Sequence, residues 1–392
     1  MKSNISVLIY SSNSKYQKKN IGGAETSLGL IAEKLAERGI KVTYFTNGFL
    51  RIPGIRRKKI NGVDVYFFTP WRWPTFNNKF LSLLASKLIR KQKQTALYRL
   101  IKKNSINVVH TYDAFPETFD IIEIRRKYNL QFKIMMRVAG LHWAYQMENH
   151  LVKPATIEYV FKNIDIINLL DIGFKKLFNE KCKQFGINLV NPKLFIHDIG
   201  VDCKFYKDRK KQPENNNFTI VCAARFSHIA KRQDLLIEAI KKIKNHNVHV
   251  KFLGDGSLLK KYKKQIDSFS LGHLAQFYGY VSKERLKAIT ETADLVALPT
   301  DYEGVSKSVI EAMAMKLPVL VSDVPALNSF LVHNKTGFLV ENTPEKWAEI
   351  ILKLNKDRKL LCEVAERGYL FTSKTYSADN NIFRFIEVFK QI

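Results

Sequence analysis

Short apolar runs alternate with helical patterns along almost the whole chain. Apolar runs without polar alternation predict buried strands, whereas apolar residues spaced three and four positions apart predict helices. In the first half the predicted strands are 6–10, 41–46, 63–68, 107–110, 133–137, 165–169 and 194–197, with helices over 24–38 and 118–128. Because buried strands separated by helices form parallel sheets covered on both faces, this half is predicted to be an α/β domain.

A polar stretch over 208–217 interrupts the pattern, which then begins again. The second half has predicted strands at 218–222, 248–253, 276–278, 294–298 and 319–321, and predicted helices at 230–244, 258–269, 283–292 and 378–390. Two doubly wound, Rossmann-like parallel sheets are therefore predicted, facing each other across an interdomain cleft. In such sheets ligands bind at the carboxyl ends of the strands.

Length and composition agree with two globular domains. The chain has 392 residues, of which 46% are hydrophobic, and no apolar run approaches the roughly 18 residues that cross a bilayer. The first apolar run is too short for a signal peptide. Four cysteines without paired spacing argue against a zinc site or a disulfide framework and predict a reducing cytoplasm.

The chain is strongly basic, with 64 Lys and Arg against 36 Asp and Glu and a formal net charge of +28. The segment 51–103 holds fourteen of these cations and a single acid, interleaved with tryptophans and with leucines at helical spacing. Such a segment is typical of a surface that binds an anionic membrane, but also of an ordinary helix with a solvated basic face. Nucleic acid is not an expected partner, since no nucleic-acid-binding motif accompanies the charge.

Residues 301–319 place two carboxylates around the predicted start of a helix. Glu303 lies in a glycine-containing loop and Glu311 lies in the helix. Ser306 or Ser308 can cap this helix, and Pro318 ends it before a buried strand. The free N–H groups of a helix start bind phosphate, and carboxylates accept hydrogen bonds from sugar hydroxyls, so the segment suits a nucleotide-sugar. The spacing alone also suits an ordinary helix with acidic residues near its start.

Two further segments offer phosphate contacts. Arg225 follows a predicted strand and Lys231 begins the next helix, so a guanidinium and an ammonium can converge on a diphosphate. Gly22 and Gly23 follow the first strand, where glycines let backbone N–H groups approach a ligand. The ordinary alternatives are two surface cations and a flexible turn.

Together these segments resemble the retaining glycosyltransferases of family 4, which have the two-domain GT-B fold. In that family a Glu, seven residues and a second Glu open the donor-site helix, as at Glu303 and Glu311. Its members also carry an Arg and a Lys six positions apart, as at Arg225 and Lys231, and a Gly-Gly-(small or Val)-Glu loop, as at 22–25. The resemblance covers nearly the whole chain and is stronger in the second half.

The resemblance implies transfer of a sugar, a hexose from a UDP-sugar in most members, to an acceptor hydroxyl with retention of configuration. It implies that Arg225 and Lys231 stabilise the departing diphosphate, Glu303 contacts the transferred sugar, and Glu311 holds the ribose. The remaining donor contacts it implies are Gly22, Gly23, Val281, Ser306 and Lys307. In the family the departing phosphate helps to deprotonate the acceptor, so no carboxylate nucleophile is expected.

The resemblance also implies a division of labour along the chain. Residues 1–200 are expected to form the acceptor-side domain, residues 201–375 the nucleotide-sugar domain, and a helix within 376–392 is expected to pack back on the first. The expected acceptor-side residues are His110, Tyr112, Asp113 and Arg137, with His142 nearby. Many relatives have a second histidine where this chain has Tyr112, and His110 also suits a buried structural role.

No Asp-x-Asp pair occurs in the sequence, so we expect no metal and no other cofactor. The basic segment suggests a lipid-linked glycan acceptor in surface polysaccharide synthesis, used by a cytoplasmic enzyme peripheral to the inner membrane face. A different class is a non-catalytic protein of the same fold that binds sugar-nucleotides or polyanions. Release of nucleoside diphosphate on addition of acceptor distinguishes the enzyme from the binder.

Overall fold

A computed structural model describes residues 5–17, 23–48, 52–71, 79–189, 192–207, 217–226, 229–303 and 306–391. The chain divides into two compact units. Unit 1 comprises Met1–Ile199 and Asn381–Ile392, and unit 2 comprises Gly200–Asn380. The predicted domain boundary, between residues 200 and 201, lies beside this division.

Unit 1 contains an eight-stranded sheet in the order β3-β4-β2-β1-β5-β6-β7-β8. Every neighbouring pair is parallel except β3 and β4. The strands are β1 Ser6–Tyr10, β2 Lys41–Asn47, β3 Gly54–Ile60, β4 Val63–Thr69, β5 Val108–Tyr112, β6 Lys133–Val138, β7 Ile166–Leu169 and β8 Lys193–Ile196. The central strands are buried along nearly their whole length, as expected for a parallel sheet covered on both faces.

The edge strand β3 was not predicted from the sequence. Its residues are exposed except for the last, which is half-buried, and four of the seven are consecutive cations, so it has no apolar run to recognise. Lysine and arginine on an edge strand discourage pairing with other chains. The strand is recognisable only from its pairing with β4.

Among the described residues up to 199, six helices lie between or after the strands of unit 1, together with an irregular turn over Ala114–Thr118. They are α1 Gly23–Glu37, α2 Lys79–Lys103, α3 Phe119–Lys127, α4 His142–Glu148, α5 Pro154–Lys162 and α6 Ile172–Gln184. The chain leaves α1 through Gly39, whose φ of 76° lies in the left-handed region that glycine adopts readily. The Asp171 side chain caps α6 by accepting a hydrogen bond from the Phe174 N–H.

Unit 2 contains a six-stranded parallel sheet in the order β11-β10-β9-β12-β13-β14. Its strands are β9 Phe218–Ala223, β10 Val248–Leu253, β11 Ala275–Gly279, β12 Leu295–Leu298, β13 Val319–Ser322 and β14 Phe338–Val340. The three-residue β14 is too short to stand out in the sequence pattern. The core lies between this sheet and its helices, around Phe226, Trp347 and the apolar strand residues.

The helices of unit 2 begin after the domain boundary. They are α7 Cys203–Tyr206, α8 Gln233–Lys242, α9 Leu259–Ser268, α10 Lys283–Thr290, α11 Lys307–Ala314, α12 Pro325–Asn328, α13 Pro344–Lys356, α14 Arg358–Thr375 and α15 Ala378–Gln391. The helix α15 starts in unit 2, but most of its residues belong to unit 1. The predicted helix over 230–244 is wrong at its start, because Arg232 has a left-handed conformation (φ 37°, ψ 38°) that separates the turn Ile229–Lys231 from α8.

Each sheet has one point where the strand order reverses. In unit 1 it lies between β1 and β5, and in unit 2 between β9 and β12. At such a point the loops after the two strands lead to opposite sides of the sheet and leave a crevice, where open α/β sheets bind ligands. Of the predicted site residues, the connections after β5, β9 and β12 carry Asp113, Arg225, Lys231, Glu303 and Ser306.

Candidate active site

In unit 2, the loop after β9 carries the two predicted cations. Lys231 ends the turn Ile229–Lys231 and forms an ion pair with Glu303, which lies in the loop after β12. The Lys231 and Glu303 side chains are 25% and 14% exposed. The predicted cation and the predicted sugar-binding carboxylate therefore meet at the strand-order reversal of unit 2.

Backbone and side-chain hydrogen bonds join these two loops. The Asp301 N–H donates to the Ala230 carbonyl at 2.8 Å, and the Thr300 hydroxyl donates to the same oxygen at 2.9 Å. The Asn342 amide donates to the Thr300 carbonyl at 2.9 Å and so holds the second loop from the other side. These hydrogen bonds hold both loops in place. The Lys231–Glu303 ion pair is therefore part of the ordered structure and not a chance contact between two mobile surface side chains.

Arg232 ties the same loops together through its side chain. Its guanidinium donates to Asp301 Oδ1 at 2.9 Å and also pairs with Asp234 at the start of α8. A non-glycine residue in the left-handed region costs of order 1 kcal/mol or more and persists only where its surroundings enforce it. The two carboxylate partners supply that enforcement, directly after the predicted phosphate-binding Lys231.

Arg225 lies two residues beyond β9, and its side chain is exposed. Its carbonyl accepts a hydrogen bond from the Gln233 side chain at 3.0 Å, and the following Phe226 is fully buried. Close packing also fixes this loop, since a Cβ on Gly254 would lie 2.0 Å from the Ala224 carbonyl oxygen. The backbone of Arg225 is thus anchored, while the part of the chain that the structure describes gives its guanidinium no ion pair.

Glu311 is half-buried in α11, one helical turn beyond Lys307. Partial burial raises the pKa of its carboxyl, whereas the neighbouring Tyr206 hydroxyl, Lys283 and Lys307 lower it. The Lys307 ammonium also donates to the Gly200 carbonyl at 2.8 Å. Two ammonium groups beside one carboxylate make this helix start a suitable place for an anionic ligand that also carries hydroxyl groups.

The other predicted donor residues lie at the start of α11, in the loop before α10, and at the start of α1 in unit 1. Ser306 occupies the position before α11 and is buried, but its hydroxyl lies 3.2 Å from the Ser308 hydroxyl and does not cap the helix backbone. Val281 is half-buried between β11 and α10. Gly23 is exposed at the first position of α1 in unit 1, and Gly22 lies outside the described residues.

In unit 1, two of the predicted acceptor-side residues lie at the strand-order reversal. Tyr112 ends β5 and is half-buried, which raises the pKa of its hydroxyl. Asp113 follows it, is 7% exposed, and lies 2.6 Å from the Nδ1 atom of His142. The structure therefore brings together Asp113 and His142, which follow adjacent strands of the sheet.

His110 and Arg137 lie inside unit 1. His110 is fully buried against Phe385 and Phe389 of α15, with 6.2 Å between the ring centroids in both contacts. Arg137 is 1% exposed and donates to Asp198 at 3.1 Å and to Asn168 at 2.7 Å. These placements favour a structural role for both residues over the predicted contact with an acceptor.

Three contacts of the two sites could not be predicted from the sequence alone. Asp113 and His142 meet because β5 and β6 are neighbours in the sheet. The order of the predicted strands along the chain does not establish which strands are neighbours. The hydroxyl of Tyr206 beside Glu311 depends on how the short helix α7 packs against α11. Arg232 gave no signal, because its role depends on a left-handed backbone that the sequence pattern does not reveal.

The described ranges contain no group of three or more His, Cys, Asp or Glu side chains placed to hold a metal ion. No helix among them combines the length and the apolar character needed to cross a bilayer.

Two family models match the chain on either side of the division between the units. Residues 204–371 match the family described as "Glycosyl transferases group 1", and residues 21–162 match the family described as "Glycosyltransferase Family 4". The first match contains Lys231, Glu303 and Glu311, and the second contains Asp113 and His142. Both sites described above therefore lie within a matched region.

Similar proteins agree with these family matches. An uncharacterised glycosyltransferase of Methanocaldococcus jannaschii is 22% identical over 96% of this chain and 96% of its own length. The UDP-Gal:alpha-D-GlcNAc-diphosphoundecaprenol alpha-1,3-galactosyltransferase of Escherichia coli is 24% identical over 70% of this chain and 73% of its own length. The crystal structure of Anabaena HepE in complex with UDP and glucose has a TM-score of 0.72 at 16% identity, covering 99% of this chain and 100% of that chain. The predicted fold class, two doubly wound α/β units of the GT-B type, is confirmed.

Proposed function

This chain belongs to the group 1 glycosyltransferases of the family 4 type, and we propose that it transfers a hexose from a UDP-sugar to an acceptor hydroxyl with retention of configuration. The observation that carries the donor assignment is the Lys231–Glu303 ion pair at the strand-order reversal of unit 2. UDP is the nucleotide named for the Escherichia coli relative and for the HepE structure, which supports this choice of donor.

The proposed chemistry depends on where negative charge grows. As the bond between the sugar and the diphosphate breaks, charge accumulates on the diphosphate oxygens, and cations already in place lower the barrier. Lys231 and Arg225 are proposed to hold this leaving group, with Lys231 also neutralising Glu303. Without that ammonium, Glu303 would repel the diphosphate that it must lie beside.

The two glutamates have different proposed partners. Glu303 is proposed to accept hydrogen bonds from hydroxyls of the transferred sugar, and Glu311 from the ribose hydroxyls. Lys307 and the buried Ser306 lie at the start of α11, where free N–H groups add to the phosphate contacts. Val281, Gly22 and Gly23 complete the proposed donor contacts.

A donor-release assay tests this assignment. Purified protein is mixed with UDP-sugars and a glycan acceptor, free UDP is measured, and the anomeric configuration of the product is read by NMR. Release of UDP that depends on acceptor, with retained configuration, is the expected result. Tight donor binding with no acceptor-dependent UDP release would instead indicate a non-catalytic sugar-nucleotide binder, and an inverted product would refute retention.

We also propose that the reaction needs no metal ion. Lys231, Arg225 and the ammonium groups beside Glu311 supply positive charge where other transferases use a divalent cation. Turnover is expected to be unchanged by a chelator. Loss of turnover in chelator and its recovery with manganese would overturn this part of the proposal.

The acceptor is proposed to be a lipid-linked glycan, because one surface of unit 1 suits an anionic membrane. The strand β3 carries four Lys or Arg and the helix α2 carries eight, and neither contains an acid. Beside these cations, the Trp71, Leu83 and Leu84 side chains are 66%, 54% and 47% exposed. Apolar side chains among basic ones are typical of a surface that inserts into an anionic interface, where each cation adds about 1 kcal/mol.

A groove of about 420 Å³ continues this surface between β3, β4 and α2. Its apolar lining includes Ile55, Phe68 and Leu88, and its charged lining includes Lys91 and Arg99. Leu81 and Leu84 extend the helix face of Leu88 toward the beginning of α2, where they are exposed. The apolar face of α2 therefore continues beyond its contact with the sheet into an exposed part of the helix.

Vesicle sedimentation tests the membrane surface separately from catalysis. The protein is expected to sediment with vesicles of phosphatidylcholine and phosphatidylglycerol and not with phosphatidylcholine alone. The double variant Leu81→Gln, Leu84→Gln should lose most of this binding, whereas Leu370→Gln, which changes a still more exposed leucine of α14, should keep it. Equal sedimentation with both kinds of vesicle, or equal loss in the control, would refute the assignment.

A further inference from the structure

In unit 2, the loop after β12 that carries Glu303 is bound by side chains from the next two strands of the sheet. Ser322 is the last residue of β13, and Asn342 lies two residues beyond β14. Because β12, β13 and β14 are adjacent and parallel, their carboxyl ends lie at the same edge of the sheet, where a ligand is expected. Neither Ser322 nor Asn342 is among the site residues predicted from the sequence.

The side-chain amide of Asn342 makes three hydrogen bonds. Its nitrogen donates to the Thr300 carbonyl at 2.9 Å and to Asp301 Oδ1 at 3.1 Å. Its oxygen accepts from the Ser322 hydroxyl at 2.5 Å. Since an amide side chain has two N–H donors and one carbonyl acceptor, every polar group of Asn342 is used. These bonds fix the orientation of the amide relative to all three partners.

Thr300 is the residue at which these contacts meet. Thr300 and Ser322 are both fully buried. The Thr300 N–H donates to the Ser322 hydroxyl at 2.7 Å, so that Ser322 and Asn342 together bind both backbone polar groups of Thr300. The Thr300 hydroxyl also lies 2.7 Å from the carbonyl oxygen of Tyr302, the residue directly before Glu303. A continuous series of hydrogen bonds therefore leads from Asn342 to the backbone that carries Glu303.

Removal of the Asn342 amide would take a partner from two groups inside unit 2. The Thr300 carbonyl would lose its donor, and the Ser322 O–H group would lose its acceptor. Buried polar groups without partners are unfavourable, so the loop is expected to move until these groups find other partners or water. Such a movement displaces the Glu303 side chain, and a displacement of about 1 Å from a productive position can lower a rate by about two orders of magnitude.

We infer that Asn342 is a positioning residue for Glu303 and acts through Thr300. The inference rests on the glycosyl transfer proposed above, in which Glu303 accepts hydrogen bonds from hydroxyls of the transferred sugar. It assigns Asn342 to recognition of the sugar and not of the nucleotide. The residues proposed to hold the diphosphate and the ribose lie in the loop after β9 and in or beside α11, outside the segment that Asn342 binds.

The experiment compares Asn342→Ala with the control Asn328→Ala. Asn328 is an exposed residue of α12 in the same unit, and its amide also donates to an aspartate, Asp323. For each protein, the Kd of UDP is measured by calorimetry, and kcat and KM for the UDP-sugar are measured at saturating acceptor. Asn342→Ala should lower kcat/KM for the donor about tenfold or more, while its Kd for UDP stays within about twofold of the original. Asn328→Ala should match the unchanged protein in both measurements.

A double-mutant cycle tests whether Asn342 acts through Glu303. Glu303→Ala removes the proposed sugar contact and should itself lower kcat/KM for the donor. If Asn342 serves to position that carboxylate, Asn342→Ala should have little further effect in the Glu303→Ala protein, so the two losses should not add. Ser322→Ala removes the other bond to the Thr300 backbone and should lower donor kcat/KM with the same unchanged UDP affinity. This variant takes the place of Asn342→Ala in the cycle if Asn342→Ala does not fold.

Three outcomes would overturn the inference. Near-normal donor kcat/KM in Asn342→Ala would show that Glu303 is held without the amide. Equal weakening of UDP binding and of donor kcat/KM would show a general role in the structure of unit 2. Losses that add in the double variant would show that Asn342 acts independently of Glu303. If the unchanged protein turns over no UDP-sugar, the proposed function itself fails, and that result is visible before any variant is made.

Discussion

Replacement of His110 by phenylalanine should remove part of the acid sensitivity of unit 1. His110 is fully buried, and neither of its ring nitrogens has a hydrogen-bond partner among the residues that the structure describes. Burial, with a smaller contribution from the Arg137 charge, lowers the pKa of His110 to about 3. The ring is therefore neutral in the folded protein across the physiological range.

The magnitude follows from the difference between the folded and unfolded states. An unfolded histidine has a pKa of about 6.5, so below that pH the unfolded chain binds one more proton than the folded chain. Stability is then complete above about pH 6.5 and falls as the pH is lowered, by about 1.4 kcal/mol per pH unit. Acidification from about pH 6.5 to about pH 5 should thus cost about 2 kcal/mol through His110 alone.

Two measurements check this reasoning. NMR titration of the labelled ring, assigned by its absence in His110→Phe, should show no protonation down to about pH 5. Urea unfolding should show that acidification destabilises His110→Phe by about 2 kcal/mol less than the unchanged protein. His197, whose pKa burial also lowers, is present in both proteins and cancels. A ring that titrates near its ordinary pKa, or equal acid losses in the two proteins, would refute the argument.

Three further predictions concern the donor side of unit 2. Lys231→Met should lower kcat by about a hundredfold or more, whereas Lys231→Arg should recover part of it, as steady-state assays can measure; near-normal turnover in Lys231→Met would count against the leaving-group role. Arg232→Gly should change the free energy of unfolding by only about 1 kcal/mol, because relief of backbone strain offsets the lost ion pairs. The same variant should raise the KM for the donor. An unchanged KM would show that Arg232 does not position the loop. Tyr206→Phe should raise the pKa of Glu311, because the Tyr206 hydroxyl lowers it. As the pH is lowered, donor binding measured by calorimetry should then be lost at a higher pH than in the unchanged protein. An unshifted pH profile would show that Tyr206 does not act on Glu311.

Much of the fold could be predicted because buried strands have a simple sequence pattern. Runs such as 6–10 and 248–253 match β1 and β10 because parallel strands covered on both faces need continuous apolar residues. The pattern fails where burial is incomplete or the element is short. β3 has exposed cations in place of an apolar run, and β14 has only three residues.

The site was predictable to the extent that residue type carries the chemistry. Lys231, Glu303 and Glu311 were identified as a group because charge and spacing are visible in the sequence, and Lys231 and Glu303 do meet. His110 and Arg137 were assigned to the acceptor because strand ends usually face ligands. His110 is buried against α15, and Arg137 is paired with Asp198 and Asn168. These partners lie far away in the sequence, and no local pattern reports such contacts.

The path of α15 has a consequence for synthesis of the protein on the ribosome. Phe385 and Phe389, which enclose His110, are translated after every strand of both units, whereas β5 is translated before all of unit 2. The hydrophobic interior of unit 1 therefore stays incomplete until α15 has been made, whereas the strands of unit 2 and its helices up to α14 are made before α15. A released polypeptide truncated before Ala378 should consequently contain a protease-resistant unit 2 and a protease-sensitive unit 1, the reverse of the usual N-to-C order of domain maturation.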